Sequence, residues 1–344
     1  MKMIDDNKFS LMSVLNKFGP FLGLLLIYGL LVAFGPDNFG SAANLETIAR
    51  QTSIVGIAAL GMTLVIILGG IDLSVGSIVA LGTVIAASVL QYLVSKTEAS
   101  SMFDMLSLRA DAWMAIVAVV AVLVASAICG VINGLIITKL KVVPFIVTLG
   151  TLLLIRGTAK GLANQQKVDA PFSWLNQLLA PPSYEQRWIL FAPGVWIMII
   201  LALLVICILK YTRFGRHIYA IGSNEQAARL CGIAVEKVKL MVYITAAWLA
   251  GIAGILQFSR LSVGDPTVAS GMELDVIAAV VIGGGSLSGG EGSVTGTIVG
   301  ALIMTVIRSG CSQIGLPNWI QEIVTGIIIV MAVTIDRMRH SNTK

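Results

Sequence analysis

Charge is what this chain has least of. Asp, Glu, Lys and Arg together make up 12% of its 344 residues, where a soluble domain carries about a quarter. That shortage excludes a water-soluble globule. Histidine is nearly absent: His217 and His340 offer no material for a histidine-based metal or acid–base pair. No pair among Cys129, Cys207, Cys231 and Cys311 is placed to form a disulfide framework. No glycine is followed by lysine, so the chain lacks the glycine-rich loop and lysine that cradle nucleotide phosphates. The net charge is +5, but no basic face is interleaved with exposed aromatics, which excludes a nucleic-acid surface. No paired carboxylates or nucleophile with a base stand out, so no catalytic residue and no metal ligand is assigned.

What is abundant is apolar sequence, 57% of residues with a mean hydropathy of +0.92. Phe18–Pro36, Gln51–Ile71, Leu73–Ser95, Ala112–Thr138, Trp188–Leu209 and Leu240–Ser259 contain no charged residue. Each is near or above the length needed to cross a hydrocarbon layer as a helix. Val142–Ile155, Val276–Gly290, Gly292–Ile307 and Ile323–Ile335 are shorter runs of the same kind. The expectation is an all-α membrane protein, a single transmembrane domain over 1–344 with about ten transmembrane helices. Asp5 and Asp6 weaken any positive leader, so 21–34 reads as a first span that stays. Basic residues set the orientation. With both N- and C-termini cytoplasmic, Lys139, Lys141, Lys210, Arg213, Arg216, Arg229, Lys237 and Lys239 all fall inside. Residues 157–188 then form the longest extracytoplasmic loop.

The interval 210–239 is the longest polar stretch in the second half of the chain. Within it the sequence predicts a short helix over 224–231. Ser223 with Gln226 three residues on reads as a capping box, and Gly232 as a C-terminal stop. A helix of about two turns is marginal alone, which predicts that it lies against something, here a soluble partner on the cytoplasmic side.

Small residues recur every four positions at Gly130/Gly134, Ala246/Ala250/Gly254 and Gly292/Gly296/Gly300, and read as surfaces where helices approach closely. Ionisable residues near span ends, Asp72, Glu273, Asp275, Glu291 and Glu322, read as interfacially solvated. Polar residues within spans are candidates for lining a solute path: Gln51, Thr52, Asn133, Thr148, Thr151, Thr245 and Gln257, with Asp72 wedged among glycines beside them. Single interhelical hydrogen bonds account for each equally well. ILGGIDLSVG (67–76) and VIGGGSLSGG (281–290) echo each other, too briefly to establish a repeat.

Four stretches carry a family likeness: GGIDLSVGS (69–77), NGLIITKLKVVPFIVTLGT (133–151), TRFGRHIYAIGSNEQAARLCGI (212–233) and IGGGSLSGGEGSVTGTIVGAL (282–302). They resemble, in one order over most of the chain, the permease subunits of ribose-type ATP-binding-cassette sugar importers. These carry ribose, xylose, arabinose, galactosides or autoinducer-2. LSGGE at 287–291 looks like a nucleotide-contacting motif of the ATPases, but without a phosphate loop it is a glycine-rich turn. The third stretch resembles the cytoplasmic coupling loop of importer permeases, with Gln226 in place of the glutamate, then Ala227, Ala228 and, after three residues, Gly232. The resemblance implies a permease fold in a bacterial inner membrane. It implies Arg213, Gly215, Arg216, Gly222, Asn224, Gln226, Ala227, Ala228 and Gly232 as the ATPase-coupling residues. It also implies a second permease subunit, identical or not, an ATPase subunit that binds ATP in place of any cofactor here, and an extracytoplasmic sugar-binding protein. Permeases for nucleosides or branched-chain amino acids are the nearest alternatives. An ion-coupled transporter would want carboxylates deep in its spans.

Overall fold

Away from water a backbone must satisfy its own hydrogen bonds, and a helix does so within one segment. The computed structural model, which describes residues 11–96, 110–181 and 191–341, is accordingly almost all helix. Asp5 and Asp6 lie outside the described residues. In chain order the helices are α1 (Leu11–Phe34), α2 (Ala42–Ile67), α3 (Val75–Ser95), α4 (Ala112–Lys139), α5 (Pro144–Leu162) and α6 (Pro193–Tyr211). There follow α7 (Arg213–Ser223), α8 (Glu225–Leu230), α9 (Val235–Leu261), α10 (Met272–Ile282), α11 (Val294–Gln313) and α12 (Asn318–Ser341). Pro144 and Pro193 open α5 and α6, where the missing N–H is no loss. Two short strands, β1 (Val168–Asp169) and β2 (Val263–Gly264), pair antiparallel.

Among the described residues, seven helices, α2, α3, α4, α5, α6, α9 and α11, are long and apolar enough to cross a membrane. Helices α1 and α12 hold shorter apolar stretches, Gly19–Phe34 and Asn318–Thr334. The run Val276–Gly290, expected to span, does not do so as a helix. Its helix, α10, has 11 residues, about 16 Å against the roughly 30 Å of hydrocarbon. Gly284, at φ +90, lets the chain turn there; its N–H donates to Val281 O and that of Gly285 to Val280 O, which closes the helix end. Residues 283–293 continue as a loop. The expected loop 157–188 also begins later, because α5 runs to Leu162.

The small-residue stripes are contact surfaces. A methyl on Gly130 of α4 would sit 2.7 Å from Ile244 Cα of α9, and one on Gly61 of α2 2.9 Å from Ala246 Cα. Methyls on Gly296 and Gly300 of α11 would overlap the carbonyls of Gly283 and Ala279. Helices α2 and α9 form the centre of the bundle, whereas α4, α5 and α6 leave two-thirds or more of their apolar stretches outside the buried core. Leu153 and Leu154 of α5 are nearly 70% exposed, as a lipid-facing helix requires.

Candidate functional site

The interval 210–239 folds as two helices, not one. Thr212 caps α7, its Oγ1 accepting from Gly215 N at 3.1 Å. Phe214, Ile218 and Ile221 then recur at helical spacing, and Ile218 and Ile221 are buried. This amphipathic stripe was readable in the sequence but was passed over for the shorter helix. Ser223 is the last residue of α7 and not the cap of α8. The cap is Asn224, one residue later, whose extended backbone breaks the helix and whose Oδ1 accepts from Ala227 N at 2.9 Å. The stop at Gly232 is as expected. At φ +80 it donates to Arg229 O, and Ile233 N donates to Ala228 O; that left-handed turn suits glycine.

Helix α8 is fastened at both ends by charge. Lys239 Nζ lies 2.7 Å from Glu225 Oε2, and Arg229 bridges Glu225 and Glu236. Partial burial pushes the Glu225 carboxyl up, but Lys239 and then Arg229 outweigh it and leave it below the usual glutamate range. Ala228 is buried beneath the helix, while Gln226 and Ala227 are exposed and Leu230 is 90% exposed. Leu230 thus leaves an apolar side chain almost unpacked within this chain at the end of α8.

Behind α8, α7 meets the interior backbone to backbone. A methyl on Gly222 would overlap the Ile67 carbonyl at the end of α2, and Gly290 N would lie 2.6 Å from it. Gly290 N itself donates to Ile67 O at 2.8 Å, and Tyr219 Oη donates to Gly292 O at 2.9 Å. A methyl on Gly289 would be 2.9 Å from Gly69 Cα. The two echoing segments, 67–76 and 281–290, therefore touch each other, and α7 touches both. Gly215 is packed against the end of α6, where a methyl would meet the Ile208 and Leu209 carbonyls. Arg213 and Arg216 stand on the opposite, more open side of α7. Helix α7 thus packs directly on the ends of α2 and α6 and on the loop 283–293.

The polar residues within spans separate into two groups. Thr52, Asp72, Asn133 and Thr148 are buried and tied to protein. Thr52 Oγ1 meets Thr305 Oγ1 of α11 at 2.6 Å. Asp72 Oδ1 accepts from Ser74 N and Oγ, and Asn133 Nδ2 donates to that same Oγ at 2.9 Å. Thr148 Oγ1 reaches Ile71 O at 3.2 Å. Thr151 faces an apolar groove between α3, α4 and α5. Gln51 and Gln257, far apart in sequence, line one polar cavity together. Two acidic residues expected to be interfacially solvated are not: Asp72 is 0% and Asp275 1% exposed. Asp72 lies in the break between α2 and α3, and Asp275 in the first turn of the half-length helix α10. Sequence reasoning also passed over Arg260 and Arg308, which line the cavity with Gln51; their places at the ends of apolar runs were the available signal.

A bundle of apolar helices with a capped, charge-clamped segment at one end, and no phosphate loop of its own, has the design of a membrane permease. The chain belongs to the family described as branched-chain amino acid transport system / permease component, whose model matches residues 44–333. It is similar to the ribose import permease protein RbsC of Escherichia coli K12, 40% identical over 93% of each chain, and to that of Bacillus subtilis 168, 37% identical over 95% of each. It is also similar to the galactose/methyl galactoside import permease protein MglC of Escherichia coli K12, 35% identical over 98% of this chain and 99% of that one. No solved structure matches.

Proposed function

We propose that this chain is the transmembrane permease subunit of an ATP-driven importer that carries a monosaccharide across the bacterial inner membrane. The observation that carries the reading is the end-to-end likeness to ribose import permeases. The chain makes ten crossings, with α10 and its following loop counting as one, and both termini share the cytoplasmic side with α7 and α8. The whole chain is one permease domain. A second permease copy or paralogue, an ATPase subunit and an extracytoplasmic sugar-binding protein complete the machine. ATP binds to the ATPase and no cofactor to this chain.

Coupling runs through 213–232. Gln226, Ala227 and the exposed Leu230 face the ATPase; Asn224 and Gly232 end α8 cleanly; Ala228 seats it. Arg213 and Arg216 flank the contact. Gly215 and Gly222 let α7 press on the interior backbone. Of the path residues, Gln51 faces the solute, while Thr52, Asp72, Asn133, Thr148 and Thr151 hold the helices around it. Uptake of radiolabelled ribose and galactose, in cells lacking the native chain and supplied with it and its partners, tests the reading. Sugar uptake that requires ATP and survives an uncoupler is expected. Uptake that follows the ion gradient instead would sink it.

A further inference from the structure

At the end of the bundle remote from α8 lies a cavity of about 320 Å³ between α2, α9, α10 and α11, within the size range of small-molecule sites. Helix α9 leaves the α8 side at Val235 and reaches the cavity only at Gln257 and Arg260, roughly 33 Å further on. Its polar lining includes Gln51, Gln257, Arg260, Ser270, Asp275 and Arg308, with Thr305 beside them. Val268, Ala269 and Ser270 form its roof. Arg156 of α5 holds that roof, donating to Pro266 O at 3.1 Å and Val268 O at 2.6 Å.

The Asp275–Arg308 pair within it is half satisfied. Arg308 Nη2 lies 2.6 Å from Asp275 Oδ2, whereas Asp275 Oδ1 and Arg308 Nε are buried without any hydrogen-bond partner. Leaving a buried carboxylate oxygen undonated is costly. One hydroxyl that donates to Oδ1, beside another that accepts from the guanidinium, would complete both. That is the pattern of a vicinal diol. Gln51, Gln257 and Ser270 both donate and accept, as hydroxyls do. An anionic solute would face Asp275.

We propose that the Asp275–Arg308 pair is a binding site for the vicinal hydroxyls of a neutral sugar, the point at which the permease takes up its solute. The proposal rests on the sugar-import reading and assigns residues to it. Arg156 is a positioning residue, acting through the roof.

The test uses the complete transporter in cells. Asp275→Asn is expected to lower uptake of radiolabelled ribose and galactose at least about tenfold, with the ATPase still co-purifying. The exchange D275R/R308D restores an ion pair but moves the carboxylate to another helix, so uptake is expected to stay low. Uptake within about twofold of wild type in either variant would overturn the proposal. Where either variant fails to accumulate, Ser270→Cys in a background lacking the native cysteines gives a second measure. Millimolar ribose or galactose is expected to slow its reaction with an impermeant maleimide, and leucine is not. No slowing by a sugar that the same cells import would overturn the site alone. Import of leucine and neither sugar would overturn the sugar reading, and the site with it.

Discussion

At the residue scale, the glycines of this chain divide by what surrounds them, and the difference is testable. Gly222 lies against the Ile67 carbonyl and Gly290 N, both backbone, which cannot swing aside. Gly222→Ala is expected to destabilise the bundle by about 1–3 kcal/mol through overpacking, read as a lower melting midpoint of the detergent-solubilised protein. Gly157 is a helical glycine of α5 with nothing within 4 Å of an added methyl. Gly157→Ala is expected to leave the midpoint unchanged or raise it by up to about 1 kcal/mol. Equal effects of the two substitutions would contradict the backbone contact at Gly222. Leu230 calls for a different readout. At 90% exposed, Leu230→Asp is expected to leave the melting midpoint in place while reducing the ATPase recovered with the permease. A fall in midpoint would mean that Leu230 packs within this chain.

At the element scale, α8 is six residues long and held by its ends. Glu225 carries two of its three ion pairs, and its carboxyl sits below the usual glutamate range. The stabilisation is therefore complete above that range and is lost as pH falls through the lowered value. Amide exchange of α8, corrected for intrinsic rate, is expected to stay slow from neutral pH down to the ordinary glutamate range and to quicken only below it. Glu225→Gln is expected to show the quickened exchange at neutral pH. The stop at Gly232 was legible because a helix end needing positive φ leaves few residues to choose from. The start was misplaced by one residue because Ser223 and Asn224 are both good caps. Local preference could not tell that α7 would run on through Ser223, since the burial of Ile218 and Ile221 against the bundle decides that.

At the scale of the whole molecule, α8 lies at one end of α9 and the Gln51–Asp275 cavity at the other. A variant with Cys231 as its sole cysteine, exposed beside α8, is expected to resist an impermeant maleimide in intact cells and to react in inverted vesicles. Labelling from outside would reverse the proposed orientation.

The sequence by itself determined that the chain lives in a bilayer, where most of its long apolar helices lie, which stripes let helices touch, and where the polar interval between α6 and α9 falls. Those follow from local properties: apolar run length, four-residue periodicity, caps and the placement of basic residues. Only the tertiary structure decided that Val276–Gly290 breaks after 11 helical residues, and that 67–76 lies against 281–290 with Gly222 between them. It alone decided that Thr52, Asp72 and Asn133 are tied up within the bundle while Gln51, Gln257, Asp275 and Arg308 share one space. Such partnerships join residues as far as 253 positions apart, as Thr52 and Thr305 are, and a helix face shows its partner only once the bundle has closed around it.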